Sequence, residues 1–416
     1  MYVSVIKPII LYAASVWAPA VKKIGVQKHL NTIQRGFAQK ICKSYRTVSL
    51  HSALLLAGLI PLDLRVHEHA DLYEAKRGRP ILCLPDDREL ERRVSFMTAE
   101  HPARDIEIGF SCLEDLEPAT VEKYQLKGQL IFTDGSKIEG KVGAAISVWR
   151  EGEERRAIKF KLERYCTVYQ AELFALWKAV ELVREGKERQ TCIFSDSRSS
   201  LELLQNPKSS HPLGFAIKKN IEQIRNQGKD IRMFWIKAHV GIAGNERADE
   251  LAKTAALHKR TLADYQECPL SYVKRMIRQN SLDQWQDRYT SGTTGGTTKI
   301  FLPDVREAYK IIRKIQPTST AVQILTGHGG FGFYLHKFKC KDSPSCKCDP
   351  NANEDIIHLL TDCPRFGRER QDLEIEIGIK VTPENLKEIM KNVEKRQSFL
   401  EFGVTIAEKI IKENKT

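Results

Sequence analysis

The chain has 416 residues, 42% apolar and 29% charged, which excludes a single miniature scaffold and, at a mean hydropathy of −0.38, a mainly disordered chain or a polytopic membrane protein. A formal net charge of +13 and a pI near 9.2 favour a polyanionic partner such as nucleic acid without naming it. The ten cysteines mostly stand alone in apolar or mixed stretches, which suits reduced thiols in an intracellular chain better than a disulfide framework.

The opening stretch, MYVSVIKPIILYAASVWAPAV, is apolar enough to imitate a signal peptide or a membrane span. Lys7, Pro8 and Pro19 interrupt it and no basic segment precedes it, so a packed helical pair is expected and no membrane partner. Residues 1–78 read as helical throughout, with Leu30, Ile33, Phe37 and Ile41 spaced three and four apart. Residues 79–127 carry Pro80, Pro85, Asp86, Asp87 and Pro118 among alternating charges, the composition of a linker.

Residues 128–258 change character. GQLIFTDGS, GAAISVW and RRAIKFKL read as three strands, TVYQAELFALWKAVELVREG as a long helix, and TCIFSD as a fourth strand. Two helices, SRSSLELLQ and GFAIKKNIEQIRNQ, the strand DIRMFWIKAH and a last helix, NERADELAKTAAL, follow. Residues 259–416 are mostly helical, broken by SGTTGGTT and by a cysteine-rich stretch at 340–363.

Four acids draw attention. Asp134 follows the apolar run LIF and Asp196 follows CIF, so both fall at the carboxyl ends of strands, the edge where open α/β sheets bind ligands. Glu172 lies early in the long helix among apolar residues, and Asp249 early in the last helix. Singly, each has an ordinary reading: TDGS as a turn, SDS as a helix N-cap, the other two as solvated helix residues. Converging carboxylates without cysteine or histidine ligands suit hard cations, Mg²⁺ or Mn²⁺, and two such ions serve in-line phosphodiester hydrolysis.

FTDGS, QAEL, SDSRS and HVGIAGNERADELA, in this order, resemble a type I ribonuclease H domain over residues 128–258. The resemblance implies an α/β fold, a ribonuclease H-like mixed five-stranded sheet flanked by helices, and places the four metal-binding acids at Asp134, Glu172, Asp196 and Asp249. His239 matches a histidine that assists proton transfer or product departure, though alone it reads as a surface residue. Asn245 matches a residue that approaches the substrate strand or orders the last loop, with a helix N-cap an equal reading. Thr167 takes the place where the family grips a DNA phosphate. In a departure from some cellular members, LQNPKSSHPLGF has no inserted basic helix and loop. Residues 130–258 carry a net charge of only +5, so substrate grip is expected to depend on the flanks.

The flanks, VIKPIILYAASVWAPA, IQRGFAQKICKSYRTVS and LLLAGLIPLDL before and ILTGHGGFGFYLHKF with CKCDPNANEDIIHLLTDCPRF after, resemble the carboxyl-terminal part of an insect-type non-LTR retrotransposon polyprotein. This casts residues 1–78 as a helical remnant of the reverse transcriptase. No Tyr/Phe-x-Asp-Asp polymerase strand occurs, and a fragment, a truncated copy or a host-retained remnant is expected. Cys346, Cys348, His358 and Cys363 form C-x-C-x₉-H-x₄-C, a ligand set for tetrahedral zinc, with unligated thiols as the alternative. Cys340 could replace one ligand. Such a zinc-knuckle-like element would either bind nucleic acid, with Lys337, Lys339, Lys341, Lys347 and Arg365 on phosphates, or act as a structural staple.

The expected function is endonucleolytic two-metal cleavage of the RNA strand of RNA–DNA hybrids, in cytoplasm or nucleus. The rival expectation is a catalytically inactive nucleic-acid-binding remnant of the same fold. Oligomeric state is left open.

Overall fold

The strand-length apolar runs pair into one mixed sheet in a computed structural model that describes residues 1–85, 88–95, 106–315 and 317–415. Its strands are β1 (Phe110–Leu113), β2 (Gln129–Ile138), β3 (Lys141–Arg150), β4 (Glu153–Leu162), β5 (Gln190–Ser195) and β6 (Asp230–Ile236), in the order β1-β6-β5-β2-β3-β4. The turns joining β2 to β3 and β3 to β4 are Glu139-Gly140 and Glu151-Gly152, all four residues at positive φ, a geometry whose twist matches antiparallel pairing. β5 lies parallel to β2 and β6 parallel to β5, so each needs a crossover. The helices Val168–Glu185 and Pro212–Asn226 lie in them.

Alternation along the strands gives the sheet two dry faces. Ile131, Ile146 and Ile193 bury against Ala171, Phe174, Ala175 and Ala179 of the long helix. On the opposite face Phe132, Phe194 and Phe234 form a stacked row with centroids 4.8 and 5.3 Å apart, closed by Ile242 and Ala248 at the helix Ala243–His258. That helix sits close to the sheet: a Cβ on Gly143 would collide with the carbonyl of Ala252, and one on Gly244 with the ring of Phe132.

Two differences from the sequence expectation concern the flanks. The sheet has six strands rather than five, because β1 adds to β6 in parallel from within 79–127. This segment is packed as well as connecting. Leu113 and Leu126 enter the aromatic core, Arg232 on β6 donates to the carbonyls of Tyr124 and Gln125 at 2.7 Å, and Leu90 bridges to Cys268. The expected linker residues Asp86 and Asp87 lie outside the described residues.

The chain divides into two units, Ala75–Arg275 around the sheet, and Met1–Glu74 together with Met276–Thr416. The helical ends, expected as separate regions, therefore share one core. Leu54, Leu55 and Leu56 of the first end join Trp285, Phe301, Leu360 and Phe399 of the second. The buried amide of Gln34 donates to the Ile60 carbonyl at 2.8 Å and its carbonyl accepts from Leu62 N at 2.7 Å, fixing the first helices to one another. Among the described residues no single helix is long and apolar enough to cross a membrane, although Tyr2–Leu11 and Ala14–Lys22, bent by 52°, pass together on length and composition.

Candidate active site

The parallel pairing of β2 with β5 ends at Thr133 opposite Ser195, and the residue after each is an aspartate, Asp134 within β2 and Asp196 just past the end of β5. Asp134 and Asp196 thus stand side by side where that parallel pairing ends. β2 itself continues to Ile138 against β3, so Asp134 sits within a strand and TDGS is not a turn. Glu172 arrives from the helix Val168–Glu185, whose start lies against Gly135: a Cβ there would stand 2.5 Å from Glu172 N and 2.8 Å from Ala171 C. The glycine of FTDGS is a close-approach residue that lets the third carboxylate reach the other two.

One ligand oxygen from each of Asp134, Glu172 and Asp196 lies within 4.8 Å of the others. Asp134 is 6% and Glu172 8% exposed, and Asp134 Oδ2 and Glu172 Oε2 are buried without a hydrogen-bond partner. Burial, reinforced by the Asp196 and Asp249 charges, pushes the Asp134 carboxyl up to about 7. Burial and the Asp134 and Asp196 charges raise Glu172 well above the usual carboxylate range, and burial raises Asp196 too. Three desolvated acids that repel one another and leave oxygens unpaired are costly in isolation. A hard divalent cation satisfies those oxygens, so the donor set fits Mg²⁺ or Mn²⁺.

Asp249 is close enough that its charge raises all three carboxyls, but its ligand oxygen groups with His239 and Glu246 instead. It accepts from Lys253 Nζ at 2.6 Å. Lys253 was not singled out from the sequence, though the i,i+4 spacing after Asp249 carried the signal. His239 is exposed, at φ +54°, with Nδ1 4.0 Å from Glu246, and its charge opposes the rise at Asp196. Asn245 is buried in the third position of the last helix, not at its N-cap, which is Ile242. Its amide makes a long 3.5 Å contact to Asp196 Oδ2, and its Oδ1 has no partner. Thr167 caps the long helix: its hydroxyl accepts from Gln170 N at 3.1 Å, and Gln170 Oε1 accepts from Thr167 N in a reciprocal capping box.

In the other unit, the ligand atoms of Cys346, Cys348, His358 and Cys363 lie within 4.8 Å of one another. A two-strand ribbon, Ser345–Cys346 with Asp349–Asn353, brings in the first two, and the Asp355-capped helix Ile356–Thr361 supplies His358. Cys346 Sγ is 3.8 Å from Cys363 Sγ, and Cys348 Sγ 3.2 Å from His358 Nε2. Ligands of a tetrahedral zinc stand about 3.3–3.8 Å apart, so the four residues fit that ion. Burial pushes the Cys363 thiol up to about 12, an excess proton affinity that a bound cation would reverse. Cys340 is exposed and bonds to the Phe338 carbonyl, outside the cluster. Three of the cations expected on phosphates are engaged: Lys341 with Glu354, Lys347 with Glu413 at 2.9 Å, and Arg365 with Glu413 at 2.7 Å.

A family model for RNase H matches residues 127–257. The chain is 31% identical over 112 residues to a retrovirus-related Pol polyprotein from type-1 retrotransposable element R1 2 of Nasonia vitripennis, covering 27% of each. It is 28% identical over 202 residues to the corresponding R1 polyprotein of Popillia japonica, 48% of this chain and 77% of that protein. It is also 32% identical over 140 residues to a putative 115 kDa protein in element R1DM of Drosophila melanogaster, 32% of this chain and 13% of that one. The chain thus spans under a third of the length of the Nasonia and Drosophila relatives. Residues 127–257 belong to the ribonuclease H family, within a chain similar to the Pol polyproteins of R1 non-LTR retrotransposable elements.

Proposed function

We propose that this chain cleaves the RNA strand of RNA–DNA hybrids endonucleolytically, leaving a 5′-phosphate and a 3′-hydroxyl. The observation that carries the reading is the trio Asp134, Glu172 and Asp196, brought within 4.8 Å with buried, unpartnered oxygens. Asp134 would be shared between two Mg²⁺ or Mn²⁺ positions, Glu172 and Asp196 completing one and Asp249 the other. Ions held there supply water activation and neutralise charge on the leaving oxygen.

The chain's own groups divide the remaining work. Asn245, touching Asp196 from the buried side, holds that carboxylate toward the trio. Lys253 pairs with Asp249, and its positive charge opposes part of the rise at Asp134. His239, on the exposed loop before the last helix, would pass a proton to the departing oxygen. Thr167, the N-cap five residues ahead of Glu172, is at the position expected to meet a DNA phosphate. The Cys/His cluster is a closed four-ligand zinc site whose role is structural, since Cys346 and Cys363 are buried in the core of their unit and the nearby cations are largely paired.

A hybrid with end-labelled RNA, incubated with and without Mg²⁺, tests the reading. Mg²⁺-dependent RNA cleavage is expected in the natural chain, and a loss of at least about 10³-fold in Asp196→Asn with an unchanged circular dichroism spectrum. Full activity in that variant refutes the assignment. Hybrid binding without any cleavage favours the inactive remnant.

A further inference from the structure

A cavity of about 790 Å³ opens in the sheet-containing unit away from the carboxylates, and its lining is strongly cationic. Lys76, Arg92 and Arg93 come from the segment before the matched domain, Lys274 from the segment after it, and Lys208 from the short connection where an inserted basic element is missing. Among the described residues none of these five has a carboxylate within ion-pair distance. The one acid in the lining, Glu91, is spent inward. Its Oε1 accepts from Gln170 Nε2 at 3.0 Å and from Tyr265 Oη at 2.6 Å, and its Oε2 lies 3.4 Å from His211 Nε2.

The same contacts fix the cavity to the acid-bearing helix. Gln170 is two residues before Glu172, and the ring of Tyr169 meets that of His211 edge-on at 6.0 Å. The backbone N–H groups that open the helix Pro212–Asn226 add their partial positive charge beside Ser209 and Ser210. Five cations gathered in one cavity repel one another, and a polyanion relieves that repulsion.

We propose that this cavity binds the sugar-phosphate backbone of the nucleic acid whose RNA strand is cut, so that the flanks supply the grip the domain itself lacks. The inference rests on the proposed hybrid-cleaving function, but its test reads binding alone. Binding of a 20-base-pair RNA–DNA hybrid is followed by fluorescence anisotropy over a salt series with no divalent ion added. The comparison is between the natural chain, Arg92→Ala/Arg93→Ala/Lys208→Ala/Lys274→Ala, and a control that loses Lys22, Lys23, Lys28 and Lys43 to Ala. The cavity variant is expected to bind at least tenfold more weakly, with a log–log salt slope shallower by about 2–4, while the control shifts less than threefold. Unchanged affinity and slope in the cavity variant, with an unchanged melting curve, overturn the proposal, as does an equal loss in the control. Failure of the natural chain to cleave hybrid, with the binding difference intact, contradicts the catalytic reading and leaves the cavity assignment standing.

Discussion

The two candidate metal-ligand clusters of this chain are built on opposite principles. The Cys/His set gathers all four ligands within 4.8 Å, two of them in the hydrophobic core of their unit. The carboxylate set gathers three in the same span, keeps the fourth beside them, and leaves buried oxygens unpaired. A closed set of soft ligands holds structure together, whereas an incomplete set of hard ligands keeps room for a reacting group. The first is expected to matter for stability and the second to reduce it, because repulsion among desolvated acids opposes folding.

The comparison breaks most visibly at the sulfur cluster. Cys346→Ser with Cys363→Ser should release about one zinc per chain, measured by atomic absorption, and lower stability by several kcal/mol. Equal zinc content and equal melting temperature would remove the structural half of the contrast.

The carboxylate half is sharpened by pH. Asp134 has its folded pKa raised to about 7 from an ordinary 3.8, so the folded chain binds that proton more tightly than the unfolded one. The resulting stability is present below about pH 4 and lost as pH rises through 7. Without divalent ions, the natural chain should therefore lose roughly 2–4 kcal/mol relative to Asp134→Asn across that window. Urea melts of the pair at pH 4.5 and 7.5 read the difference, and a gap that narrows with rising pH contradicts it. The smallest effect concerns the helix that delivers Glu172: Thr167→Ala removes one side of the capping box and should cost about 1 kcal/mol in the same melts.

Within 128–258 the strands, helices and acids were readable because apolar runs of two distinct periods alternate there, and because Asp134 and Asp196 each stand one residue beyond such a run. The pairing that makes them neighbours, Thr133 opposite Ser195, depends on strand order and has no local signal. β1 has no signal in the sequence: it is four residues long and Ser111 and Cys112 are both exposed, so no alternation marks it. The union of the two helical ends was illegible for the same reason: Leu54 and Phe399 are ordinary apolar residues until the fold brings them together. Asp249 was legible as an acid but not as the partner of Lys253, and Asn245, readable as a cap, lies inside its helix.

Calorimetric titration of Mn²⁺ into the natural chain and into Asp134→Asn, both zinc-loaded, tests the shared carboxylate site most directly. Two Mn²⁺ sites in the natural chain, with binding lost or weakened at least 100-fold in Asp134→Asn while the fold is retained, is the predicted result. Identical Mn²⁺ binding by the two proteins would contradict the account.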